Sequence, residues 1–209
     1  MFYHKYNEDL ILKKGFTLAE VLITLGIIGV VAAMTMPTLI ANYQKKVLVT
    51  QLKKEINYIQ NNIRKILADQ EVDSLKYTDY LDEFGLHLDN DKFVKYLNLE
   101  KVNFKYGGED AEMYSNSSGA CLNVSNNYSN LFSTIVLDVN CLHAPNKPGR
   151  DQFMIFIDEK GSLIDSGDAV GAPIDFLNET ICNERLSEAL VYGSLCVYKI
   201  IHDGWEMNY

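Results

Sequence analysis

From Phe16 to Ala41 the chain carries 26 residues with a single charge, Glu20. About 20 apolar residues in a helix span the hydrocarbon core of a bilayer, and this run is long enough. It exceeds the roughly 7–15-residue core of a secretory signal, and no small-x-small cleavage site follows it. Lys13 and Lys14 precede the run, and Lys45 and Lys46 follow it. Basic pairs at both ends give little orientation. A carboxylate deep in hydrocarbon costs about 2.5–3.5 kcal/mol on insertion scales, so Glu20 needs a partner or a shallow position.

The remaining length of the 209-residue chain suits one domain of ordinary size. Before Phe16, Lys5, Lys13 and Lys14 outnumber Glu8 and Asp9 by one; the whole chain carries −9, which leaves −10 for the rest. So acidic a body repels phosphate backbones, and no nucleic-acid partner is expected.

Lys13-Lys14-Gly15-Phe16-Thr17-Leu18-Ala19-Glu20, continued by Val21-Leu22-Ile23, resembles the N-terminal signature of type IV pilins and type II secretion pseudopilins. The resemblance covers about 30 residues. It implies a cytoplasmic cut after Gly15 by a prepilin peptidase, N-methylation of the new terminus at Phe16, and assembly through Glu20. It further implies a long N-terminal helix packed on an antiparallel β-sheet, an α+β pilin-like fold. The implied partners are the peptidase, other pilin or pseudopilin subunits, an inner-membrane assembly platform and the membrane itself. In a staggered filament the amine of an incoming subunit would meet the Glu20 carboxylate of its neighbour, as a register device. The bland alternative is a first-turn glutamate favoured by the helix macrodipole, worth under about 1 kcal/mol. Pro37 lies inside the apolar helix, after Gly26 and Gly29, and predicts a kink.

Beyond Asn42 the helix is expected to continue. Leu48, Leu52, Ile56, Ile59, Ile63 and Ile66 recur at spacings of four and three, one apolar stripe suited to lying on a sheet. A single helix from Phe16 to about Ala68 would be about 80 Å long. Between Asp69 and Gly119 the apolar residues, among them Leu81, Phe84, Leu86, Phe93, Val94 and Tyr96, suggest short helical turns between loops. Gly107-Gly108 and Ser115–Gly119 read as turns. Strands are expected at Ser133–Val139 and Gln152–Asp158, with a turn at Glu159–Ser162 and a third strand starting at Leu163-Ile164. Ser194–Trp205 slightly favours helix. The division expected is 1–15 leader, 16–42 membrane or filament-core helix, and 43–209 extracytoplasmic α+β domain.

Cys121, Cys141, Cys182 and Cys196 form no Cys-x-x-Cys pair, which argues against a zinc ribbon and a thioredoxin-like site. An even count beyond an export signal favours disulfides. The sequential pairing Cys121–Cys141 and Cys182–Cys196 is expected among three connectivities, because each pair is close in sequence. Cys141-Leu-His143 offers two zinc ligands without a second pair, and a disulfide is the stronger reading.

The segment from Asp138 to Asp151 resembles a loop of some pilin-like proteins: Asp138 and Asn140, then Pro145-Asn146, then Gly149-Arg150-Asp151. Some pseudopilins bind calcium in a loop near the C-terminus. Asp138, Asn140, Asn146 and Asp151 offer hard oxygen ligands. The alternative, weighted above it, is that these side chains bond the loop backbone. The spacing is not an EF-hand, so no metal or other cofactor is assigned.

No Gly-x-Ser-x-Gly, His-Glu-x-x-His or phosphate-binding glycine loop is present, and His4, His87, His143 and His202 are scattered. Asp158-Glu159 reads as a solvated turn. Asn-x-Ser/Thr triplets begin at Asn116, Asn123, Asn127 and Asn178, as chance allows. The reading is therefore a non-enzymatic filament subunit, single-pass in the inner membrane. The alternative is an uncleaved membrane-anchored extracytoplasmic binding protein.

Overall fold

The computed structural model describes residues 15–81, 88–106, 109–125, 133–182 and 193–209. Residues 1–14, which hold His4 and most of the expected leader, and Phe84, Leu86, His87, Gly107-Gly108 and Asn127 lie outside them. The chain divides into two compact units with the boundary between Tyr43 and Gln44.

Helix α1 covers Leu18–Asp69 and includes Pro37. In the first unit its large apolar side chains are exposed: Leu22, Ile23, Leu25, Ile28, Met34 and Leu39 are all more than half accessible. It is long and apolar enough to cross a membrane. In the second unit α1 is amphipathic. Val49, Leu52, Ile56, Ile59, Ile63 and Ile66 are buried on one stripe, while Leu48 is half-buried against the same core.

The helix stops in a two-bond lock. Glu71 adopts φ 54; its N–H bonds Ala68 O at 3.1 Å and that of Val72 bonds Leu67 O at 3.0 Å. This is the Schellman pattern, with a glutamate where glycine is usual.

Six strands form one antiparallel sheet in sequence order. They are β1 Glu100–Tyr106, β2 Glu109–Ser115, β3 Cys121–Ser125, β4 Ser133–Asp138, β5 Gln152–Ile157 and β6 Leu163–Ile164. Register puts Leu122, Leu137 and Phe153 in one cross-strand row and Val124, Ile135 and Ile155 in the next. These rows and the α1 stripe make a single core. It is an α+β architecture consistent with a pilin-like fold. On the opposite face Phe104, Met113, Cys121 and Cys141 form a second cluster.

The turn between β5 and β6 touches α1. Gly161 has φ +78, and a Cβ there would lie 2.6 Å from Ile63 Cγ2. Glycine is required twice over, by backbone conformation and by space.

All six residues of β5 are buried. Its outer edge is covered by the last segment of the chain: Met154 N–H donates to Ser194 O at 3.0 Å, and Phe156 N–H to the Tyr198 hydroxyl at 2.9 Å. This segment includes helix α5, Cys196–His202. Before it come helix α2 at Asn90–Tyr96, the short helices α3 at Ser166–Val170 and α4 at Ile174–Phe176, and a π-helical turn at Leu177–Ile181.

The region expected to hold only short helical turns contains α2 and also two seven-residue strands, β1 and β2. In β1 the alternation is regular: Val102 and Phe104 turn inward while Lys101 and Asn103 are exposed. In β2 Glu109, Asp110 and Glu112 have low strand preference, and pairing with β1 and burial of Met113 override it.

Disulfides join Cys121 to Cys141, with a sequence separation of 20, and Cys182 to Cys196, with a separation of 14. The first ties β3 to the loop after β4; the second ties the π-helical turn to the start of α5.

Candidate functional site

The N-terminal candidates sit on an open stretch. Phe16 is 88% exposed, and nothing lies within 4 Å of a Cβ built on Gly15. Thr17, the residue before α1, and Glu20, in its first turn, cap each other. Glu20 Oε2 accepts from Thr17 N–H at 2.8 Å and from the Thr17 hydroxyl at 2.9 Å. Glu20 N–H donates back to Thr17 Oγ1 at 3.2 Å. This is a capping box, two orphan groups satisfied reciprocally. The spacing Thr-x-x-Glu is readable in the sequence, but only Glu20 was singled out there. Further along, Thr24 and Thr35 hydroxyls return to Val21 O and Val31 O at 2.9 and 3.0 Å. Helix threonines thereby hide their polarity from an apolar environment.

The loop from Asp138 to Asp151 brings its polar residues together. Asp138 and Asp151 are fully buried. Asp151 accepts from the amides of Asn146 at 2.8 Å and Lys147 at 2.7 Å, one on each carboxylate oxygen. Asp138 Oδ1 accepts from Asn140 N–H at 3.1 Å. Turned to its better-bonded orientation, the Asn146 amide donates to His143 O and Cys141 O, both at 2.8 Å. Cys141 and Asn146 both have positive φ, so the loop is shaped by these contacts. Backbone bonding accounts for Asp138 Oδ1 and both Asp151 oxygens and for the Asn146 amide nitrogen. Among the described residues no group of three or more His, Cys, Asp or Glu is placed to hold a metal ion. Cys141 is in a disulfide, so the Cys141–His143 pair offers no thiolate.

Burial raises Asp138, pushing its carboxyl up to about 7, with Asp151 adding a smaller push. Burial raises Asp151 too, against the pull of the Lys147 and Asn146 amides. Arg150, between them and the C-terminal residues, donates to Tyr209 O at 2.8 Å and lies over the Tyr209 ring. The Tyr209 hydroxyl returns to Gly149 O at 2.8 Å.

One buried charge escaped the sequence reading. Glu55, on the inward side of α1, is 2% exposed. It accepts from Asn116 Nδ2 at 2.7 Å and from the Ser118 hydroxyl at 2.6 Å. The β2–β3 turn is thereby pinned to the helix. No periodicity argument finds such a residue, because glutamate at this position interrupts no apolar spacing.

Comparison with protein families places residues 12–36 in the prokaryotic N-terminal methylation motif. Neither characterised proteins nor solved structures give a match. The motif is the segment with the exposed apolar helix face, the capped Glu20 and the flanking glycine. The chain therefore carries the N-terminal signature of type IV pilins and pseudopilins.

Proposed function

We propose that the chain is a structural subunit of a type IV pilus or a type II secretion pseudopilus. On this reading residues 1–15 are the leader, the cut falls between Gly15 and Phe16, and Phe16 is methylated. Residues 16–42 anchor the subunit in the membrane and then form filament core. Residues 43–209 are the extracytoplasmic domain, and other subunits and an assembly platform are the partners. The observation that carries the reading is the apolar exposure of α1 from Leu18 to Ile40, with Glu20 as its only charge. A face that apolar is stable only when lipid or other helices cover it.

The test is co-expression with a prepilin peptidase and mass spectrometry of the N-terminal peptide. A peptide starting at methylated Phe16 is expected. Persistence of Met1 in the membrane fraction despite active peptidase would leave the alternative, an uncleaved anchored binding protein. The capping box bears on Glu20 alone: it gives the residue a role within its own helix, as the first-turn alternative to a register device has it.

A further inference from the structure

Charge is divided unevenly along the second unit. Residues 44–68, the part of α1 that carries the buried stripe, hold six basic residues against Glu55 alone, a net of +5; residues 69–209 hold ten basic and 24 acidic residues, a net of −14. Glu55 is buried under the β2–β3 turn. Every exposed charge on this stretch of helix is therefore basic: Lys46, Lys53, Lys54, Arg64 and Lys65. Spacings of seven and eleven residues are close to whole numbers of helical turns. Lys46, Lys53 and Arg64 thus share one line of α1 and Lys54 and Lys65 another, both on the side away from the Leu52–Ile66 stripe.

Little inside the chain answers this charge. Lys54 lies 3.8 Å from Glu55, whose oxygens already accept from Asn116 and Ser118. Lys53 and Lys65 lie over the Trp205 and Tyr96 rings, and Arg64 donates to Asn61. Among the described residues Lys46, Lys53, Arg64 and Lys65 make no ion pair. The complement lies elsewhere on the chain. From Gly161 to Cys182 there is no basic residue, and Asp165, Asp168, Asp175 and Glu179 are exposed along α3, α4 and the π-helical turn. None of these four makes an ion pair among the described residues either. We propose that the solvent face of α1 from Lys46 to Lys65 docks a second copy of this chain through that copy's Asp165–Glu179 surface. The two patches differ, so the contact is heterologous, the kind that repeats head to tail along an open assembly. A phosphate-bearing partner would meet +5 on the helix but −14 on the rest of the domain, whereas a second copy brings an acidic patch of limited extent. The inference rests on the subunit reading above for what holds copies side by side, the N-terminal helices.

The experiment uses the full chain, reconstituted from equal parts of 14N and 15N protein in phosphatidylcholine vesicles and treated with a carbodiimide, which joins amines to carboxylates in direct contact. Mixed-isotope peptides linking a lysine of 44–68 to a carboxylate of 161–182 are expected. They should be lost in 1 M NaCl, where the screening length is about 3 Å. Lys46→Glu with Lys53→Glu should suppress them, and adding Asp175→Lys with Glu179→Lys should restore links of reversed polarity. Mixed-isotope links to other segments only, links that survive both salt and charge reversal, or a swap that restores nothing overturn the contact. So does acetylation of Lys46 and Lys53 that is blocked by phosphatidylglycerol vesicles and indifferent to protein density, which would give the face to lipid headgroups. The expected links in a chain that a prepilin peptidase never cuts would uphold the contact and sink the filament reading, so the two fail separately.

Discussion

Gly161→Ala tests the contact that seats α1 against the sheet. Alanine at φ +78 is strained, by about 1–2 kcal/mol. Its methyl would also sit 2.6 Å from Ile63 Cγ2, and overpacking a core costs typically about 1–3 kcal/mol. The single variant should therefore lose about 2–5 kcal/mol. Ile63 is fully buried, so Ile63→Ala alone should cost about 2–5 kcal/mol. In the double variant Cγ2 is gone and the nearest remaining atom is Ile63 Cβ, at 3.1 Å. The clash largely disappears while the φ strain persists. The double variant should then be more stable than additivity allows by about 1–3 kcal/mol. Urea unfolding of the Gln44–Tyr209 unit, disulfides intact, measures all four corners of the cycle. Additivity within about 0.5 kcal/mol would refute the contact.

Glu55→Ala should cost about 1–3 kcal/mol, because Asn116 Nδ2 and the Ser118 hydroxyl lose their acceptor; the same urea assay reads it, and an unchanged midpoint would mean the turn is not pinned. Replacing Cys182 and Cys196 together by serine should cost roughly 3 kcal/mol, the loop-closure value for a separation of 14; an unaltered melting curve would count against that bond as a stabiliser. Glu20→Val is expected to leave membrane insertion and peptidase cleavage intact and to abolish or sharply reduce filament incorporation, scored by shearing and electron microscopy; normal filaments would reduce Glu20 to a helix-start residue.

Much of the fold was legible because its strongest signals are local. The α1 stripe follows the helical period from Leu52 to Ile66, and burial follows it. Strand β4 is announced by Thr134, Ile135, Val136 and Leu137 together, and β5 by an unbroken apolar run, the mark of a strand covered on both faces. Strand β2 was not legible. Three carboxylates in seven residues contradict a strand locally, and only the ladder to β1 makes one. Strand β1 carries a regular alternation, but it follows directly on the helical apolar spacings of α2, which blur it locally. The burial of Glu55 and that of Asp138 were invisible for a different reason. Each depends on which loop folds over a strand or helix far away in sequence, and composition carries no trace of that.

Glu20 was legible as a residue but not as a contact. A helix start leaves backbone N–H groups without acceptors, and in an apolar setting such a group costs as much as an unpaired side chain. The Thr17–Glu20 box removes both problems with one pair of residues. Thr17 N–H gains an acceptor, and the carboxylate gains two hydrogens. An N-cap interaction is worth about 0.5–2 kcal/mol, comparable to a good part of the insertion penalty of about 2.5–3.5 kcal/mol for the bare charge. Both hydrogens fall on Oε2, which leaves Oε1 to accept from elsewhere. The cap also aims the carboxylate back along the chain toward Phe16, which the proposed processing would turn into a positive amine. In water that amine and the carboxylate attract weakly; between packed apolar helices the same pair is far stronger. On the proposed reading, capping and register would be successive uses of one side chain. The cap would make the charge tolerable in the single subunit, and in the proposed filament it would hold the carboxylate ready for a neighbour's amine.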